Sequence, residues 1–187
     1  FKDLSMELVC LADYPDCEEV AEDGKSFKEN ATLKAQGYAR QTGLLTLAED
    51  SGLCCDALEG APGIYSARFS GENRSDADNN QKVLRLLDKV PDNCRGAHFH
   101  SAAALSLPDQ VIGIAEGRVD GTIAKEARGA NGFGYDPIFF YAPFGKTFGE
   151  VPSERKHTVS HRAKALLQAK KILQDYLLHR DPQHGEA

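Results

Sequence analysis

The chain has 187 residues, 41% of them hydrophobic and 27% charged, with 22 Lys and Arg against 28 Asp and Glu for a net charge of −6. That length and balance fit one compact α/β unit, and the acidic surplus argues against a surface built to grip nucleic-acid phosphates, which needs many basic contacts. No apolar run approaches the roughly 18 residues that span a bilayer, and five cysteines without a C-x-x-C pair read as the reduced thiols of a cytoplasmic protein.

Ser26 followed by Glu29 is a capping-box pattern and predicts a helix from there to about Gly43, whose missing Cβ suits a C-terminal cap. Glu29 by itself reads as that cap. Asn30 and Lys34, four apart, share a face, and an acid, an amide and a lysine in the first turns also suit a magnesium-bound phosphate. Leu44 to Ala48 reads as a short buried strand bounded by Gly43 and Gly52, ending in Glu49, Asp50 and Ser51. Acids there would lie beyond the carboxyl end of a strand, where open α/β sheets bind ligands. Alternation sends Glu49 and Asp50 to opposite faces, so Asp50 is assigned to the cleft and Glu49 supports it or serves as a partial ligand. A lone Asp-Ser-Gly tripeptide is more commonly a solvated turn.

Cys54 and Cys55 read as strand residues rather than a redox pair, and the Gly60 to Gly71 segment as a glycine and proline loop that shapes a cleft or a subunit contact. Ser75 to Val90 is expected to form an amphipathic helix, capped by Ser75 with Asp78, with Val83, Leu84, Leu86 and Leu87 inward. Ala97 to Leu107 and Val111 to Val119 read as paired strands about a Pro108-Asp109 turn. His98 and His100 would share a strand face, but a zinc site needs a third ligand that is not in view.

In Gly129 to Pro137, glycines surround Phe133 and allow a backbone to approach a ligand closely. The phenylalanine is either a turn plug or a platform on which a planar base stacks, and Asp136 can accept from ring or exocyclic N–H groups. The glycine spacing is not a dinucleotide fingerprint, and a strand-like PIFFY run follows it. Thr158 or Ser160 can cap a terminal helix with Ala165, Leu166, Ala169, Ile172 and Leu177 as its apolar stripe. Lys156, His161 and Arg162 cluster at the positive end of that helix, a place for an anion or simply a solvated basic start. The tail from His179 to Ala187 is polar and expected to be disordered.

Taken in order, SFKENATLKA, AEDSGLCCDALEGAPGIYSARFSG, GANGFGYDPIF and SHRAKAL resemble the signatures of the inosine triphosphate pyrophosphatase family over nearly the whole chain. The resemblance implies an α/β fold, a twisted mixed β-sheet flanked by helices with two lobes around a central cleft. It implies hydrolysis of inosine and xanthosine triphosphates and their deoxy forms to the monophosphate and pyrophosphate, with Mg²⁺ (or Mn²⁺ in its place), by a homodimer. Asp50 would then be the catalytic acid-base residue and a metal ligand, Glu29 and Glu49 further metal-side carboxylates, and Lys34 a phosphate contact. Ser51 would bind substrate; Phe133, Gly134, Tyr135 and Asp136 would hold the purine, and Lys156, His161 and Arg162 would close its pocket and read the six-position oxygen. Two departures stand out. Glu49 occupies a position that is often Asp, and the family opens with a strand and a Ser/Thr-Asn-Lys loop, whereas this chain starts at Phe1 with FKDL. The expectation is therefore a single domain over 1–187 that lacks that strand and loop. Two rivals fit the same residues: a nucleotide pyrophosphatase of different base preference, and a nucleotide-binding module without turnover.

Overall fold

The computed structural model describes Phe1, Leu4 and residues 6–71 and 75–180; of the tail expected to be disordered from His179, the first two residues instead end a helix that runs to Arg180, and the rest lies outside the described residues. The predicted α/β class is met. Helices α1 (Phe27–Thr42), α2 (Asp76–Leu86), α3 (Ser153–His157) and α4 (His161–Arg180) accompany strands β1 (Thr46–Cys55), β2 (Gly96–Leu107), β3 (Gln110–Ile123), β4 (Phe139–Tyr141) and β5 (Lys146–Thr147). The strands form one open sheet in the order β1-β2-β3-β4-β5. β3 pairs antiparallel with β4 through Thr122 and Phe140, and β4 with β5 through Phe140 and Thr147. β2 and β3 are joined by the two-residue turn Pro108-Asp109, which only an antiparallel pair permits. These neighbours are antiparallel where the sequence suggested a mixed sheet.

By its internal contacts the chain divides into two compact units, one of residues 1–50, 102–116 and 165 onward, the other of 51–101 and 117–164. In the first, Ala103, Leu105, Ala115, Ala165, Ala169 and Leu173 form the core, with Leu45, Ile112 and Ile172 packed on it. Small residues dominate because backbones approach closely there: a Cβ on Gly113 would come within 2.7 Å of the Ile172 side chain. The second unit has the larger core, in which Leu53, Val83, Leu87, Phe99, Ile138, Phe139 and Phe148 are all buried. Phe99, Phe139 and Phe148 pack ring against ring at centroid distances of 4.6 to 6.3 Å, inside the range where aromatic pairs attract.

Local signals set the helix ends. Ser26 Oγ accepts from the Glu29 N–H, and Gly43 closes α1 at φ 71° in the left-handed conformation that a Cβ disfavours. α1 buries Phe27, Ala31, Ala35 and Ala39 at a spacing of four, together with Asn30. Ser75 and Asp78 make the expected capping box on α2. That helix corrects its predicted face: Leu86 is half exposed, while Asn79 and Asn80 are buried beside Val83. Residues 79, 83 and 87 make one stripe at i+4 spacing, so the hydrogen bonds of Asn79, to the Ser70 N–H and the Ala67 carbonyl, outweigh its polarity. The helix also ends at Leu86 rather than running to Val90.

β1 brings a second correction. The strand does not end at Ala48 but continues through Glu49, Asp50 and Ser51 to Cys55. Gly52 permits this, since a Cβ there would lie 2.3 Å from Ser66 Oγ and 2.6 Å from the Gly63 carbonyl oxygen. Ser66 Oγ uses that space to accept from the Leu53 N–H and donate to Gly63. Gly52→Ala is expected to cost about 2 kcal/mol, a fall in melting temperature of roughly 4–8 °C that calorimetry would register. Cys54 and Cys55, successive strand residues, point to opposite faces, and burial pushes the Cys55 thiol up to about 12. His98 Nδ1 is buried without a hydrogen-bond partner, and burial lowers the imidazole's proton affinity.

Candidate active site

In the first unit the site is built around Asp50. Its side chain is 14% exposed and takes hydrogen bonds on both oxygens, Asn30 Nδ2 donating to Oδ2 at 3.1 Å and Lys34 Nζ to Oδ1 at 3.3 Å. Asn30 is itself fixed, because its Oδ1 accepts from the Gly24 N–H at 2.9 Å. The i, i+4 spacing read from the sequence is what places Asn30 and Lys34 on the face of α1 that meets the strand. Lys34 also donates to Glu22 Oε2 at 2.9 Å, so one ammonium is shared by two carboxylates. Burial raises the proton affinity of Asp50; the Lys34 charge and the Asn30 hydrogen bond oppose that rise, and the Glu22 charge adds to it.

Glu22 is the residue that sequence reasoning missed here. It sits in an exposed, irregular stretch and carries no periodic or capping signal. Glu29, the predicted metal-side acid, serves the helix start: its Oε2 accepts from the Lys25 N–H at 2.7 Å. It lines an open groove of about 620 Å³ with Lys25, Lys28 and Thr32, but Asp50 does not line that groove. Glu49 precedes Asp50 on the alternate face of β1.

In the second unit the predicted base-side residues assemble on the Gly129 to Pro137 loop and the start of α4. Phe133 is 59% exposed, with Lys156 Nζ 4.6 Å and Arg162 Cζ 5.2 Å from its ring centroid. A large aromatic held at the surface with two cations against its ring has the setting of a platform more than of a turn plug. Asp136 organises the loop from below: it is 1% exposed, and its Oδ2 accepts both from the Phe133 N–H at 3.0 Å and from Lys156 Nζ. Gly132 must be glycine, since φ is 75° and a Cβ would fall 1.9 Å from Asp136 Oδ2.

Ser160, not Thr158, caps α4 by accepting from the Ala163 N–H. His161 is buried and stacks on Phe99 at 4.7 Å, and Arg162 Nη2 donates to Ser51 Oγ at 3.3 Å. Ser51, Phe133, Asp136, Lys156 and Arg162 are thus brought together. Tyr135 turns inward, its hydroxyl donating to the Ser66 carbonyl at 2.8 Å. Gly134 is gripped by Asp76 and Asn80 of α2, polar residues that the sequence reading did not nominate.

Among the described residues no three His, Cys, Asp or Glu side chains gather as a metal cage. Magnesium commonly takes only one or two protein carboxylates and completes its shell with water and substrate phosphates. A half-buried carboxylate whose charge is disfavoured by burial fits that mode, because a divalent cation would relieve it.

The first unit of this α/β fold thus holds a lysine-tethered, half-buried carboxylate, and the second an exposed aromatic beneath two cations. The chain belongs to the Ham1 family, whose profile matches residues 1–172. It is 45% identical over 180 residues to a dITP/XTP pyrophosphatase of Desulforamulus reducens, covering 96% of this chain and 90% of that protein. It is 49% identical over 174 residues to a dITP/XTP pyrophosphatase of Geobacter sulfurreducens, covering 93% and 85%. Among solved structures, the HAM1 protein of Coxiella burnetii matches with a TM-score of 0.87 at 40% identity, covering 93% of this chain and 89% of that one.

Proposed function

We propose that this chain hydrolyses inosine and xanthosine triphosphates and their deoxy forms at the α-phosphorus, releasing pyrophosphate and the monophosphate. The observation that carries the reading is the Asp50–Lys34–Asn30 cluster on α1 and β1, within a chain whose relatives are named dITP/XTP pyrophosphatases. Asp50 orients a water and takes its proton, and Lys34 meets the phosphate oxygens whose charge would otherwise repel the attack. Asp50 would hold Mg²⁺ or Mn²⁺, which when bound neutralises phosphate charge and acidifies water. Phe133 stacks the purine, while Lys156 and Arg162 donate toward its six-position oxygen, with Ser51 and His161 closing the pocket. Asp136 acts through the two residues it holds. Adenine presents an amino group where these donors expect an acceptor, a mismatch on the order of 1 to 3 kcal/mol per buried group. The family resemblance also supports a cytoplasmic homodimer. Among the described residues no helix is long and apolar enough to cross a membrane.

The test is pyrophosphate release from inosine, xanthosine, guanosine and adenosine triphosphates with Mg²⁺ and with excess chelator. Turnover of the first two at least a hundredfold above adenosine triphosphate, abolished by chelator and restored by Mg²⁺ or Mn²⁺, is expected. Equal rates on all four would move the reading to a pyrophosphatase of another preference, and no release from any would move it to a binding module. Sedimentation at micromolar concentration checks the dimer, for which a single species of monomer mass is the contrary result.

A further inference from the structure

Helix α2 grips the aromatic loop at a single residue, Gly134, through the two peptide groups on either side of it. Asp76, the first helical residue, accepts from the Gly134 N–H on Oδ2 at 2.6 Å, and Asn80 donates through Nδ2 to the Gly134 carbonyl at 3.0 Å. Their spacing of four puts both on one face of the helix, so donor and acceptor of Gly134 are satisfied together. Gly134 follows Phe133 directly, and the Phe133 N–H is already held by Asp136. The backbone on both sides of the exposed ring is therefore fixed. The helix that does this is itself rooted, since Asn79 bonds to Ser70 and Ala67, and Val83 and Leu87 are fully buried. Asn80 is 6% exposed and leaves its Oδ1 buried without a hydrogen-bond partner. Such an orphaned acceptor is a cost that a residue serving stability alone has no reason to carry.

We propose that Asp76 and Asn80 are positioning residues of the nucleobase subsite, setting the pitch of the Phe133 ring beneath Lys156 and Arg162 by clamping the backbone of Gly134 on both sides. The inference rests on the reading of Phe133 as the base platform. It commits α2 to recognition of the base and not of the phosphates.

Product inhibition separates the two ends of the substrate, since inosine monophosphate carries the base and pyrophosphate does not. Asp76→Ala and Asn80→Ala are each expected to raise the inhibition constant of inosine monophosphate, and KM for the triphosphate, about tenfold. The same variants should keep kcat within about twofold and leave pyrophosphate inhibition unchanged. Asp76→Asn keeps an acceptor facing Gly134 and should recover most of the loss. Asp76 is exposed, so its variants remain informative even where Asn80→Ala melts early. Phe133→Ala is the control for the underlying reading and must itself weaken inosine monophosphate. If it does while Asp76→Ala and Asn80→Ala do not, the clamp is overturned alone. If Phe133→Ala changes nothing, the platform reading falls and the clamp with it. Equal weakening of monophosphate and pyrophosphate, with a lowered melting temperature, would assign both residues to stability and overturn the proposal.

Discussion

Replacing Asp50 by Asn is expected to lower pyrophosphate release by about 10³-fold, the scale for loss of a positioned general base, and to leave the protein at least as stable at pH 7 as the parent. The second half follows from the site's electrostatics. Burial raises the folded-state pKa of Asp50 above its ordinary 3.8, more than Lys34 and Asn30 pull it back, with Glu22 adding to the rise. Between that ordinary value and the raised one, the folded state binds more protons than the unfolded state, so the contribution of Asp50 to stability falls as pH rises through this window. At neutral pH the cost of ionising it is present in full. An uncharged amide of the same shape removes that cost, and its one carbonyl oxygen still accepts from one of the two donors, Asn30 or Lys34. The melting temperature of Asp50→Asn relative to the parent should therefore be higher at pH 7 than at pH 3.5, where the parent is protonated too. Turnover within tenfold of the parent would remove Asp50 from the chemistry; a variant several degrees less stable at pH 7 would refute the electrostatic account.

Lys156→Met is expected to be the most damaging change in the second unit. The Lys156 and Asp136 side chains are 9% and 1% exposed and pair directly. Removing the ammonium strands a buried carboxylate, which costs about 3 to 5 kcal/mol, a drop of roughly 6–20 °C in melting temperature. It also removes the cation 4.6 Å from the Phe133 centroid, and with it one donor proposed to read the six-position oxygen. The two consequences are separable. Lys156→Met/Asp136→Leu no longer buries a lone charge and should regain most of the stability, losing only the hydrogen bond from the Phe133 N–H. Its preference for inosine over adenosine triphosphate should stay reduced by about tenfold or more. A double variant as unstable as the single would mean that the pair is not what stability depends on. An intact preference would take Lys156 out of base recognition.

Much of this protein is written within four or five residues at a time, and that part is legible in the chain. Ser26 and Gly43 bound α1, Ser75 with Asp78 starts α2, Ser160 starts α4, and Gly132 next to Phe133 marks a loop that no ordinary side chain could form. Caps, turns and i, i+4 faces depend on bonds to near neighbours, so Asn30, Lys34 and Asp50 could be nominated before any packing was known. The extent of β1 was not legible, because continuing past two acids depends on the space Gly52 leaves for Ser66. Nor was the burial of Asn79 and Asn80, polar residues whose partners lie in distant loops. Lys34 is twelve residues from Glu22, Asp136 twenty from Lys156, and Asn80 fifty-four from Gly134. Local sequence thus determined which residues could do chemistry; tertiary structure alone decided which of them share a proton, a charge or a peptide, because desolvation and hydrogen-bond geometry arise only when distant segments are packed together.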